Sequence, residues 1–245
     1  MSENGEMQSQ RSFPVKRRSE HSIPLLLKRT ISAQLHLLGA LIAFAGFVHL
    51  VSLTRDLSAS HFWGIIAYGV PAVLVFSASA IFHFFVDGFD LHPKLESILR
   101  RADHFSISIF IAGCYTPVVV NVISPDRQIL FLFAIWMTAA GVILYTHFKS
   151  LLPLWAQHRV TSTMLFASMG WLVTLYFNDF VRQLSQAQFM ALILGFAAYI
   201  LGAVVYALKK PKFFEGIFGF HEVWHVTVMV GFVCHYSMIL DFYAR

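Results

Sequence analysis

Seven stretches of this chain run for about twenty residues or more with almost no charge. They cover residues 30–54, 57–86, 104–125, 128–148, 160–178, 183–208 and 216–240, and only the last contains an Asp, Glu, Lys or Arg, namely Glu222. A bilayer core of ~30 Å takes about 20 apolar residues in a helix. Membrane-spanning strands are ~10-residue segments of alternating polarity. These runs are about twice that long and apolar on every face, so they predict helices. The expected fold is an all-α bundle of seven transmembrane helices, residues 30–245, after a basic and disordered tail, residues 1–29.

Composition agrees. The 245 residues are 57% apolar and only 13% charged, against ~25% charged in a soluble domain. So little charge cannot cover a soluble surface, which excludes an ordinary soluble enzyme and a disordered chain. The basic balance, +5 with His neutral, then has a topological meaning. If the helices alternate, 14 of the 18 Lys and Arg fall on the side of the tail, and Arg55, Arg127, Arg182 and Arg245 fall on the other. Positive charge stays inside, so the N-terminus is expected in the cytoplasm and the C-terminus outside. The expected partners are membrane lipids rather than nucleic acid. The apolar run after the tail is too long for a cleaved leader and lacks a small-residue cleavage site, so it reads as a retained first helix. Cys114 and Cys234 both lie inside spans and suggest neither a disulfide framework nor a thiolate metal site.

Polar side chains inside a membrane are expensive and are functional candidates by default. The sharpest group is His221-Glu222-Val223-Trp224-His225. Its two His, at i and i+4, share one helix face and can grip one metal ion. The pentapeptide also matches H-E-x-x-H, in which the Glu is a general base. A second group is Ser79 and His83, again four apart. The third is Asp103, beside Arg100 and Arg101 at the start of an apolar run. It reads either as a helix cap or Arg partner, or as an acid serving a site.

These groups converge in depth. The second span ends, and the third and seventh begin, on the tail side. One leaflet therefore holds His83, His221, His225, Asp103 and Ser79. Three neutral nitrogen ligands with a fourth position left open suit a catalytic zinc rather than a structural one. The remaining His are expected to be interfacial or core residues, with His36 and His147 at the same depth as the site.

The motifs together resemble the hemolysin III family, bacterial relatives of the progestin and adipoQ receptors in a wider group similar to alkaline ceramidases. The resemblance runs through Ser79-Ala80-Ile81-Phe82-His83, Leu99-Arg100-Arg101-Ala102-Asp103-His104, Ile111-Ala112-Gly113-Cys114-Tyr115-Thr116-Pro117 and Phe220-His221-Glu222-Val223-Trp224-His225. It implies a seven-helix bundle in the bacterial inner membrane, Zn²⁺ held by His83, His221 and His225, a water held by Asp103, and Ser79 beside them. Where the family often has an acidic pair and an Asn ahead of a His, this chain has Lys28, Arg29 and Ser32 ahead of His36, and no role is carried over to that segment. With such a site, an amide or ester near a lipid headgroup is the expected substrate, with Asp103 as general base and Ser79 binding an oxyanion or orienting the ligand. Three other readings stand beside it: a zinc protease built on H-E-x-x-H, a lipid sensor with structural zinc, and a cytolysin, as the family name suggests.

Overall fold

The computed structural model describes residues 30–214 and 218–244, and the basic tail lies outside them. Among these residues are seven helices long and apolar enough to cross a membrane. They are Ile31–Thr54, Ala59–Gly88, Pro93–Val122, Pro125–Leu151, Val160–Gln183, Gln186–Leu208 and Phe220–Tyr243, called here the first to the seventh span. The chain is a multi-pass integral membrane protein. Its outward side chains are apolar, as lipid requires: Leu41 is 61% exposed and Ile129 80%.

Sequential spans pack side by side, and the seventh returns to pack on the first, closing the bundle. Two glycines permit close approaches that matter for the site. A Cβ on Gly39 would come within 2.6 Å of the Phe76 ring, so the first span lies tight against the second. A Cβ on Gly113 would come within 2.4 Å of the Ala67 carbonyl, which brings the third span equally close. Small residues at such crossings are how membrane helices gain packing without a hydrophobic driving force. Phe76, Phe110 and Phe232 meet in the centre, with Phe76 and Phe232 edge to face at 5.2 Å.

The third span starts at Pro93, earlier than its charge-free run. Pro suits the first turn of a helix, where its missing N–H would be unpaired anyway. His92 caps the start by accepting from the Lys94 N–H at 3.3 Å, and Glu96 pairs with Arg100 one turn on. Charge thus ends the apolar stretch without ending the helix. The fifth span is irregular: Arg159–Trp171, a 3₁₀ stretch Leu172–Tyr176, then Phe177–Gln183. The Tyr115 hydroxyl sits at this break, facing the Met169 and Gly170 carbonyls and accepting from the Val173 N–H at 3.1 Å. A broken helix survives in a membrane when a neighbour satisfies the freed backbone in this way. A small departure from pure helix is the antiparallel pair Lys212–Phe214 and Phe218–Gly219 ahead of the seventh span.

Candidate metal centre

Alternating directions put the start of the first, third and seventh spans and the end of the second at one end of the bundle. The polar groups singled out by the sequence gather there. On the second span, Ser79 and His83 share the inward face and are 4% and 5% exposed. His221 and His225 come from the first turns of the seventh span. One ring nitrogen from each of His83, His221 and His225 lies within 4.8 Å of the other two. The three rings stand edge to face, with centroids 4.9, 4.8 and 4.4 Å apart.

The Nδ1 atoms of His83 and His225 are committed elsewhere, and this decides which of their nitrogens face the centre. His83 Nδ1 lies 2.9 Å from an Asp87 carboxylate oxygen, leaving its Nε2 free. That Nε2 faces the Nε2 of His221 at 3.4 Å. His225 Nδ1 is bonded to His36 Nε2. His225 Nε2 is buried and has no hydrogen-bond partner among the described residues. A buried polar atom without a partner is costly. One cation among the three nitrogens removes that cost. The group can therefore hold a metal ion, and the donor set fits one that accepts imidazole.

Asp103 comes from the third span and is 9% exposed. Because the helix begins at Pro93, the N-cap reading of Asp103 falls away. Arg100 is taken up by Glu96, and Arg101 Nε donates to the Ser97 carbonyl at 3.3 Å. The Asp103 carboxyl lies beside the Ser79 hydroxyl and within electrostatic reach of His104, His83 and Arg100. His104 Nδ1 is bonded to the Arg100 carbonyl at 2.7 Å and lies 3.8 Å from an Asp103 carboxylate oxygen.

Glu222, the acid of the H-E-x-x-H match, points elsewhere. One carboxylate oxygen accepts from the Gly219 N–H at 2.8 Å, closing the first turn of the seventh helix. The other accepts from the Ser32 hydroxyl at 2.9 Å, tying the seventh span to the first. Both oxygens have structural partners.

Two residues at the site were not assigned to it from the sequence. Asp87 supports His83 and lies just past the charge-free run, although its i,i+4 spacing was a usable signal. His36 was grouped with the core histidines, yet it packs edge to face on His225 at 4.1 Å and is 4% exposed. His21 lies outside the described residues, and four other expected outsiders have partners away from the three nitrogens. His49 bonds the Tyr236 hydroxyl, His61 bonds Ser58, His147 packs on Phe105 and Phe148, and His235 packs on Tyr199.

The family model described as "Haemolysin-III related" matches residues 26–236. A protein of Bacillus subtilis named "Hemolysin-3 homolog" is 27% identical over 208 residues, 84% of this chain and 89% of that protein. A Bacillus cereus protein named "Hemolysin-3" is 26% identical over 206 residues, 84% of this chain and 87% of that one.

Proposed function

The chain belongs to the haemolysin-III-related family, and we propose that it is a zinc-dependent hydrolase of membrane lipid amides or esters, with its site at the cytoplasmic leaflet. The observation that carries this reading is the meeting of three imidazole nitrogens from two spans beside a buried carboxylate from a third. Three His with an open fourth position are a donor set that suits Zn²⁺. When bound there, Zn²⁺ supplies a Lewis acid that polarises a carbonyl and acidifies water.

The protein's own residues do the rest. Asp103 takes the proton from the attacking water and returns it to the leaving amine or alcohol. The Ser79 hydroxyl donates to the Asp103 carboxyl and keeps it aimed. Asp87 holds the His83 ring by its Nδ1, the carboxylate–histidine support common behind metal ligands. The site's depth, at the end of an apolar bundle, favours a substrate with a polar linkage next to a hydrocarbon chain.

The direct test is elemental analysis of the purified protein, followed by incubation with mixed lipid amides and esters, with and without chelator. About one zinc per chain and chelator-sensitive release of a fatty acid is the expected result. Zinc without turnover would sink the hydrolase and favour the sensor.

The cytoplasmic placement has its own test. A reporter active only outside the cytoplasm should be active when fused after Arg245 and silent after Lys210; the reverse would move the site to the outer leaflet. The zincin reading is tested by Glu222→Gln. Because Gln keeps an acceptor for Ser32 or Gly219, this variant should retain its zinc and activity within about threefold, as surface and capping changes of ~0.5 kcal/mol usually do.

A further inference from the structure

We propose that His36 is a positioning residue for the metal site: from the first span it fixes the ring and the tautomer of His225. This rests on the reading of His225 as a metal ligand. The geometry is direct. His36 Nε2 is hydrogen-bonded to His225 Nδ1, with the two rings at right angles and centroids 4.1 Å apart. His225 then has one ring nitrogen left, the buried and unpartnered Nε2.

The proton inventory of two neutral imidazoles leaves one arrangement. A nitrogen that binds a metal must offer a lone pair, so His225 must carry its proton on Nδ1. Nδ1–H then donates, and His36 Nε2 accepts. His36 in turn carries its own proton on Nδ1, an atom that is buried and has no partner among the described residues. His36 itself does not belong to the group of nitrogens that can share an ion.

The surroundings hold His36 in this role. Its ring packs on Phe76 at 5.6 Å, and the close approach at Gly39, three residues on, sets the first span against the second. The Ser32–Glu222 bond fixes the same span against the start of the seventh. The first span, which contributes no ligand, thus acts as the outer support of the seventh. A Leu at position 36 would pack at least as well in a membrane bundle, but it would take away the acceptor of the buried His225 Nδ1–H. The His is therefore explained by its acceptor, not by packing.

The test compares four purified full-length proteins: wild type, His36→Leu, His36→Gln and His225→Ala. Zinc affinity is measured by chelator competition, and the melting of each metal-free protein is measured alongside. Loss of a support behind a ligating His weakens metal binding roughly 10–100-fold, so His36→Leu should bind zinc that much more weakly. Its metal-free form should melt close to metal-free wild type, because the lost acceptor of His225 is offset by removal of the unpartnered His36 Nδ1. His36→Gln, whose amide oxygen can accept from His225 Nδ1–H, should recover most of the affinity.

Wild-type affinity in His36→Leu would overturn the role of His36 while leaving the metal site intact. Loss as complete as in His225→Ala, with no recovery in His36→Gln, would make His36 a ligand and overturn the proposal as well. Absence of zinc from the wild type would instead overturn the underlying reading. A metal-free His36→Leu that melts well below wild type, with affinity unchanged in the surviving folded fraction, would assign His36 to packing alone.

Discussion

Stripping the metal with a chelator, or replacing His225 by Ala, should lower the melting midpoint of the purified protein by on the order of 10 °C. The ligands come from the second and seventh spans, far apart in the sequence, and an ion bound only by the folded bundle adds its binding free energy to folding. With free metal at 1,000 times its dissociation constant that contribution is about 4 kcal/mol. A domain of this size shifts roughly 2–4 °C per kcal/mol. His225→Ala also removes a buried ring from the contact with His36 and His83. Restoring zinc should recover the stability of the stripped wild type and leave His225→Ala unchanged. His61→Ala and His235→Ala serve as controls, because His61 bonds Ser58 and His235 packs on Tyr199, away from the three nitrogens. An equal response to zinc in His225→Ala and wild type would remove His225 from the metal.

Asp103→Asn should abolish lipid hydrolysis and keep the metal. The change is close to isosteric, and Asn can still meet the Ser79 hydroxyl, so the buried position stays filled. What disappears is a base able to accept a proton, a role that contributes typically 10²–10⁴-fold. The measurement is turnover on the lipid identified for the wild type, together with zinc content of the same preparation. A decrease within that range with zinc retained separates Asp103 from the ligands. Loss of zinc along with activity would make it a ligand instead. Full activity would return the general-base role to Glu222, against the two structural hydrogen bonds that occupy its oxygens.

Much of the fold was legible in the chain because lipid imposes a simple rule on sequence: no charge across the bilayer core. That rule marked all seven spans. It did not mark helix ends, since a helix can continue into the headgroup region with its charges in water. The third span does so through Lys94, Glu96, Arg100 and Arg101, which puts Asp103 in the third turn rather than at the start. The residues of the candidate site that share a helix face were equally legible. Ser79 with His83, and His221 with His225, follow from i,i+4 spacing alone. Contacts between helices distant in sequence were not. His36 meets His225 across 189 residues, and Ser32 meets Glu222 across 190. Depth already separates His36, near the tail end of the first span, from His49 at the other end, but the partner each one meets, His225 or Tyr236, is decided by the closure of the seventh span onto the first.

If one metal ion joins the second span to the seventh, metal content per chain must fall in the purified His83→Ala variant, prepared beside the wild type. His83 supplies the second span's contribution to the three converging nitrogens. About one zinc per chain is expected in the wild type and little in the variant, since two imidazoles from a single helix make a weak site for Zn²⁺. Full zinc in His83→Ala would show that the two spans share no metal, and the site would have to be abandoned.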